Sequence, residues 1–221
     1  MNRRILFSAT VISLLSFAVL AQSPALVTTS SPVKVIGTRQ DGADIKRVEF
    51  YIQSLRSLHA RFTQVGPDGS TLTGQAWLQR PNRMRFQYDP PAPYLLVANG
   101  QFVVFNDSRL KQTSNIPLGE TPLGILLQDK PSFGGDVTVL DIQHERDIIS
   151  VTVARTGKRG DGTISLQFMD TPLRLVGWMV KDAQGQRTQV SLSDVEIGGT
   201  ANPALFQFVD PRFFENNQGG G

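Results

Sequence analysis

The residues best suited to do chemistry are three arginines, Arg80, Arg83 and Arg85, in the stretch AWLQRPNRMRFQYDPP at 76–91. They are interleaved with Trp, Met, Phe and Tyr side chains. Cations among aromatic rings are typical of a platform that binds nucleic acid. The same pattern also fits a sheet with one polar and one apolar face, or a site that binds an apolar ligand and keeps a charge at its rim. The rest of the chain has to decide between these interpretations.

The catalytic inventory is small. The chain has two histidines, His59 and His144, and no cysteine. It contains no H-E-x-x-H, G-x-S-x-G, P-loop or EF-hand motif, and its carboxylates are scattered. The fragment GDG at 160–162 lacks the strand-to-helix context of a phosphate loop and is interpreted as a turn. We therefore expect no enzyme activity, no metal and no cofactor, with a triad assembled from distant residues as the open alternative.

The first 21 residues predict export. MNRRILFSATVISLLSFAVLA has two arginines, an apolar core and small residues before Gln22, which is the pattern of a cleaved signal peptide. An uncleaved membrane anchor is the alternative, because the apolar run nearly reaches spanning length. Cleavage removes two of the 22 Lys and Arg residues and none of the 19 acids. The remaining 20 against 19 is not the basic excess expected of a nucleic-acid-binding protein.

Composition divides the remaining chain into three parts. Residues 22–43 have no sustained periodicity and predict a flexible lead, and 216–221 predict a disordered tail. The segment between them, 44–215, is long enough for one domain with its own core. Since it has no cysteine, it must be stabilised by burial of apolar side chains. It also lacks the cysteine that a bacterial lipoprotein needs for acylation, so we expect a soluble protein after cleavage.

Two helices are predicted. From Asp44, taken as an N-cap, apolar residues recur every three or four positions as far as Leu58, which is typical of an amphipathic helix. A second, short helix is predicted in ETPLGILLQDKP at 120–131, with Thr121 as its N-cap and Pro122 in its first turn. Its apolar residues are expected to lie against the rest of the domain.

After about Phe62 the apolar spacing changes to two residues, which is typical of strands. Asn99-Gly100 lies between two apolar runs and predicts a hairpin with a type I′ turn. Further strands are predicted at 137–144, 148–155, 163–168, 174–181 and 189–197. Because the connections are short, we expect a mainly β (α+β) fold with a single curved antiparallel sheet.

The same periodicity sorts the arginines. Ala76, Leu78 and Arg80 share one face of a strand. Met84, Phe86 and Tyr88 share one face of the next, so Arg85 is expected to face solvent and Arg83 to lie in the turn. Arg80 is therefore the arginine that falls on an apolar face, where its donors need carboxylates or main-chain carbonyls. A surface charge at the strand end is the alternative for Arg80.

Several segments together resemble the periplasmic outer-membrane lipoprotein carrier family, the LolA type. They occur in the family's order at 60–64 (ARFTQ), 74–81 (GQAWLQRP), 84–91 (MRFQYDPP), 95–107 (LLVANGQFVVFND), 121–127 (TPLGILL) and 202–211 (NPALFQFVDP). The resemblance covers about residues 44–213. It implies an incomplete barrel whose apolar cavity is covered by helices that act as a lid.

The resemblance also implies roles for individual residues. Arg80 corresponds to the family's arginine that bonds the lid and governs its opening. The residues implied for the ligand-binding cavity are Ala76, Leu78, Met84, Phe86, Tyr88 and Leu96. Those implied for the lid are Leu123, Ile125, Leu126 and Leu127. The chain departs from the family pattern at Gly124, where a bulkier lid residue is expected, and at Val103 and Val104, which replace aromatic residues.

The function implied is that of a periplasmic chaperone. It would take acylated lipoproteins from an inner-membrane ABC transporter and pass them to an outer-membrane receptor, as a monomer that does not bind nucleic acid. Two alternatives remain open on the same fold, namely a regulatory module that senses lipid or lipoprotein and a carrier of another amphiphile.

Overall fold

The computed structural model describes residues 39–209 of the 221-residue chain. The predicted signal peptide, the tail and the lead up to residue 38 lie outside this range. Two α-helices are present, α1 (Arg39–Ser54) and α2 (Leu123–Leu127). Neither they nor any other helix within 39–209 is long and apolar enough to cross a membrane.

Eleven strands form the sheet. They are β1 (Ser57–Val65), β2 (Thr71–Gln79), β3 (Arg83–Tyr88), β4 (Tyr94–Asn99), β5 (Phe102–Asp107), β6 (Gln112–Pro117), β7 (Val137–Glu145), β8 (Ile148–Arg155), β9 (Gly162–Met169), β10 (Arg174–Asp182) and β11 (Arg187–Ile197).

All of the strands belong to one sheet in the order β6-β5-β4-β3-β2-β1-β11-β10-β9-β8-β7. Every neighbouring pair is antiparallel. Since β1 pairs with β11, the first and last strands meet in the middle, and β6 and β7 become the two edges. The sheet is not closed, and α2 lies on the connection between these edges. The predicted fold class is confirmed.

One face of the sheet is buried. Alternate residues of β3 and β9 are buried, as two-residue periodicity requires. The most deeply buried side chains of this face come from both halves of the sheet and include Phe62, Met84, Val151, Val153, Ile164, Leu166 and Phe168. Helix α1 covers one end of the buried face, where the ring of Tyr51 packs edge-on against Phe168 with centroids 5.8 Å apart.

The structure corrects the prediction for α1. The helix begins at Arg39, five residues earlier than predicted, and ends at Ser54. Asp44 is therefore not an N-cap. It is fully buried in the middle of the helix, where its carboxylate accepts hydrogen bonds from Arg47 at 2.8 Å and Gln40 at 3.0 Å, and where His144 of β7 lies 3.4 Å away. Leu58 belongs to strand β1 rather than to the helix.

The hairpin between β4 and β5 is confirmed, but its turn differs from the predicted type. Asn99 ends β4, and the two-residue loop consists of Gly100 and Gln101. Gly100 has φ +110°, whereas Asn99 and Gln101 do not have positive φ, so the predicted type I′ geometry is wrong. Instead, Asn99 Oδ1 accepts hydrogen bonds from the amides of Gln101 and Phe102, at 3.2 and 3.0 Å.

Candidate functional site

An apolar cavity of about 240 Å³ lies between the buried face of the sheet and the start of α2. Strands β3, β4, β5, β10 and β11 supply most of its wall, and the residues just before α2 close one side. Its lining residues are Gln64, Met84, Phe86, Tyr88, Leu96, Val103, Thr121, Pro122, Leu123, Trp178, Val180, Thr188 and Val190.

The aromatic wall depends on a glycine in β2. Gly74 lies opposite both Phe62 in β1 and Tyr88 in β3. A Cβ at Gly74 would lie 2.6 Å from the Phe62 ring, so only glycine lets the two flanking rings meet across β2. Phe62 and Tyr88 pack edge-to-face with centroids 5.1 Å apart. Phe86 contacts Phe62 and also Trp178, at centroid distances of 4.5 and 5.9 Å.

The short helix α2 is held close to the turn that precedes it. The hydroxyl of Thr121 accepts a hydrogen bond from the Gly124 amide at 3.2 Å, as an N-cap side chain does. The same hydroxyl donates to the carbonyl oxygen of Leu118 at 2.9 Å. Leu118 is buried in the 3₁₀ turn Leu118–Glu120. Its amide donates to the carbonyl oxygen of Gln101 at 2.8 Å, in the loop between β4 and β5. The start of α2 is thus fixed by a chain of local bonds.

Arg80 holds the other end of α2. Its side chain is only 6% exposed. Nε and Nη2 both donate to the carbonyl oxygen of Leu126, at 3.1 and 2.7 Å, and Nη1 donates to the carbonyl oxygen of Ile52 in the last turn of α1. The two acceptors lie near the C-termini of their helices, where the helix dipoles favour a cation. One guanidinium therefore links both helices to the end of β2.

Burial lowers the pKa of Arg80 to about 10, and the nearby positive charge of Arg56 acts in the same direction. The guanidinium remains charged at neutral pH, so its bonds to the two carbonyls are charge-assisted. Such bonds contribute about 1.5 to 3 kcal/mol each, more than neutral ones.

Further contacts attach the segment after α2 to α1. Gln53 donates to the carbonyl oxygen of Pro131 at 3.0 Å, and Glu49 accepts from the amide of Phe133 at 3.1 Å. An exposed ion pair joins Arg56 to Asp129, with 2.7 Å between Nη1 and Oδ1. These contacts are more exposed than those of Arg80, and exposed ion pairs contribute little stability.

The residues implied for the cavity divide into two groups. Met84, Phe86, Tyr88 and Leu96 line the cavity. Ala76 and Leu78 do not. They lie opposite Ala60 and Leu58 in β1 and belong to the same core cluster as Val48 and Ile52 of α1. Both side chains are buried and do not belong to the lining of this cavity, so their role in ligand binding stays a prediction.

The residues implied for the lid also divide. Leu123 at the start of α2 lines the cavity. Ile125, Leu126 and Leu127 are almost fully buried in the core cluster and do not line it. Only the N-terminal part of α2 therefore borders the cavity, and its C-terminal part is buried in the core.

The sequence analysis did not identify the half of the cavity formed by β10 and β11. A bulge follows Leu175, so Gly177 rather than Val176 takes the next place in the pairing with β9. As a result both Leu175 and Trp178 are buried, three residues apart, which breaks the two-residue periodicity. Regular two-residue alternation then resumes, with Val180 in β10 and with Thr188 and Val190 in β11. This alternation was the sequence signal that could have placed these residues on the cavity wall.

The other two arginines of the opening stretch lie on the outer side. Arg83 is the exposed first residue of β3 rather than a turn residue. Arg85 is not simply a solvent charge. Its Nη1 donates to the carbonyl oxygen of Leu205 at 3.1 Å, and burial lowers its pKa. It thereby ties β3 to the 3₁₀ turn Pro203–Phe206 on the outer face. Within 39–209, no group of three or more His, Asp or Glu side chains could hold a metal ion.

Comparison with known proteins agrees with this geometry. The family model described as outer membrane lipoprotein carrier protein LolA matches residues 53–209. The chain belongs to this family. An outer-membrane lipoprotein carrier protein of Leptothrix cholodnii is 32% identical over 171 residues, which are 73% of this chain and 79% of that protein. The corresponding protein of Methylococcus capsulatus is 29% identical over 174 residues, 75% of this chain and 83% of its own length.

Among solved structures, a LolA superfamily protein from Nitrosomonas europaea aligns with a TM-score of 0.41 and 11% identity. The alignment covers 74% of this chain and 97% of that one. The LolA family is a carrier family.

Proposed function

We propose that the protein is a periplasmic chaperone that binds the acyl chains of lipoproteins released from the inner membrane and carries them to an outer-membrane receptor. The observation that carries the proposal is the apolar cavity bordered by α2, together with the buried Arg80 that bonds α2 to α1. Family membership supports the same assignment. An inner-membrane ABC transporter would supply the cargo, and no catalytic step is involved.

We infer from the size of the cavity that α2 is in its closed position. At about 240 Å³ it is smaller than typical small-molecule pockets of roughly 300–1,000 Å³. A triacylated lipoprotein has on the order of 45 methylenes, each worth about 0.8 kcal/mol when removed from water. The cavity must therefore enlarge to hold them, and displacement of α2 is the change that would open it.

Arg80 is the proposed latch of this lid. Opening breaks its bonds to Leu126 and Ile52, which costs a few kcal/mol at about 1.5 to 3 kcal/mol per charge-assisted bond. Cargo that binds the open state must offset this cost, so the latch weakens cargo binding and favours release. Its loss should make the protein hold its cargo longer.

The test is the Arg80→Leu variant. Purified protein is incubated with spheroplasts that release lipoproteins, and the loaded protein is then mixed with outer membranes that contain the receptor. We expect Arg80→Leu to take up lipoprotein but to deliver it roughly 10- to 100-fold more slowly, the factor that corresponds to about 1.5 to 3 kcal/mol. Arg83→Leu is the matched control, because Arg83 is exposed and close in sequence.

Two results would count against the proposal. If the unmodified protein extracts no lipoprotein from spheroplasts, the carrier function is wrong. If Arg80→Leu delivers cargo as fast as Arg83→Leu, the carrier function stands but the latch role of Arg80 does not.

A further inference from the structure

Four of the residues that line the cavity carry polar groups, namely Gln64, Tyr88, Thr121 and Thr188. The hydroxyl of Thr121 is already engaged within the lid, since it donates to Leu118 and accepts from the Gly124 amide. The other three belong to β1, β3 and β11, and they lie at the ends of these strands. The polar groups of the cavity are therefore close together at one end of its wall, where a ligand would contact them at the same time.

Gln64 is the central member of this group. It follows Leu58, Ala60 and Phe62 on the inner face of β1, where alternation would place another apolar residue, and it pairs with Val190 in β11. Its Oε1 accepts a hydrogen bond from the hydroxyl of Tyr88 at 2.8 Å. This bond fixes the side-chain amide so that its NH₂ group points away from Tyr88. Within 39–209 that NH₂ group, which carries two donors, makes no hydrogen bond.

The site is uncharged. No Lys, Arg, His, Asp or Glu of residues 39–209 lines the cavity. Burial raises the pKa of Tyr88 to about 12, with its bond to Gln64 acting in the opposite direction, so the phenol stays protonated at neutral pH. A carboxylate placed here would lose its hydration without gaining a cation, which is costly. A neutral carbonyl oxygen would instead accept a hydrogen bond at little desolvation cost.

We propose that Gln64, oriented by Tyr88, binds the uncharged ester or amide carbonyl that joins an acyl chain to its headgroup. The cavity would then select esterified or amidated acyl chains over free fatty acids, with the hydrocarbon chain lying against Phe86, Leu123 and Trp178. This inference rests on the proposed function and deepens it, because it names the chemical group by which the cargo is recognised.

The experiment compares two short probes, methyl decanoate and sodium decanoate, at neutral pH. They share a chain and differ in the charge at the carbonyl end. Binding is followed by the fluorescence of Trp178, which lines the cavity, in a Trp77→Phe background. The variants are Gln64→Leu and, as matched control, Gln87→Leu, since Gln87 is exposed on the outer face of β3. The neutral dye N-phenyl-1-naphthylamine reports whether the cavity of each variant is intact.

We expect the unmodified protein to bind methyl decanoate at least tenfold more tightly than decanoate. Gln64→Leu should weaken methyl decanoate binding about three- to tenfold, the value of one hydrogen bond, while dye binding and the Gln87→Leu control stay unchanged. Equal affinity of the two probes, or no effect of Gln64→Leu on the ester, would overturn the inference and leave the carrier function intact. Failure of the unmodified protein to bind either probe or the dye would overturn both.

Discussion

Gly124 offers a direct test of how tightly α2 is seated. This glycine departs from the family pattern, and the structure supplies a physical reason. A Cβ at this position would lie 2.7 Å from Nη2 of Arg155 and closer still to the carbonyl oxygen of Leu118, whereas ordinary contacts begin near 3.4 Å. Gly124 is thus a position where α2 and the preceding turn approach too closely for a side chain.

The consequences of Gly124→Ala follow from which neighbour can move. The guanidinium of Arg155 ends a flexible side chain and can swing away. The Leu118 carbonyl cannot, because it is main chain and accepts hydrogen bonds from the amide and hydroxyl of Thr121. The start of α2 must therefore lift by about an ångström. Overpacking of this kind costs about 1 to 3 kcal/mol. The free energy of the closed state should therefore rise by that amount relative to a state in which α2 is displaced.

The assay follows the exposure of Trp178 to acrylamide, in a Trp77→Phe background that leaves a single tryptophan. Trp178 is 4% exposed in the closed state, so lifting α2 should increase quenching. A destabilisation of about 2 kcal/mol would raise the open population roughly 30-fold. Gly119→Ala is the matched control, because a Cβ at Gly119 meets nothing within 4 Å. If both variants show the same quenching and the same free energy of unfolding, the steric argument is refuted.

Two further predictions concern stability. Tyr88 has its pKa raised to about 12 by burial, so its contribution to folding is complete below pH 10 and is lost as the pH rises to about 12. In urea unfolding, the free energy of unfolding of Tyr88→Phe should fall less steeply with pH over that interval than that of the unmodified protein. An equal fall in both proteins would contradict the prediction. Asp44→Asn should lower the free energy of unfolding by about 1 to 3 kcal/mol, because the buried carboxylate binds Arg47 and Gln40. Asp170→Asn removes only the exposed partner of Arg47 and should lower the free energy of unfolding less. An equal decrease in the two variants would show that burial of the carboxylate does not determine the effect.

The strands could be predicted from sequence because their information is local. The predicted segment 148–155 coincides with β8, and 174–181 lacks only the last residue of β10. In both, a largely apolar run is followed by a turn signal that marks its end, and neither depends on distant contacts. The curved antiparallel sheet then follows from short connections.

The start of α1 could not be predicted in the same way. Asp44 before an apolar run has the local appearance of an N-cap, but it lies buried inside the helix, 3.4 Å from His144, which is one hundred residues away in the sequence. Leu58 fits both a helical spacing from Leu55 and a two-residue spacing to Ala60, so periodicity alone leaves the boundary ambiguous. Tertiary contacts decided both points.

The cavity was predictable on one side only. Met84, Phe86 and Tyr88 alternate regularly along β3, so their shared face could be read from the sequence. Trp178 could not be assigned, because the bulge after Leu175 reverses the faces of β10 at that point. That bulge has no local sequence signature beyond Gly177, where a Cβ would collide with the main chain of β11.

The choice of acceptors for Arg80 bears on how a carrier without its own energy source could open. If Arg80 were paired with a buried carboxylate, opening would also have to separate two opposite charges that attract each other in a low-dielectric interior. Here the donors go to main-chain carbonyls of Leu126 and Ile52, which are neutral and can bind water once the helix moves. The bonds of Arg80 then add only their net value over hydration of the same groups, and the exposure of Ile125, Leu126 and Leu127 adds an apolar cost of its own. Since burial of only a few methylenes at about 0.8 kcal/mol each would match the contribution of the Arg80 bonds, cargo or a partner could shift the proposed latch.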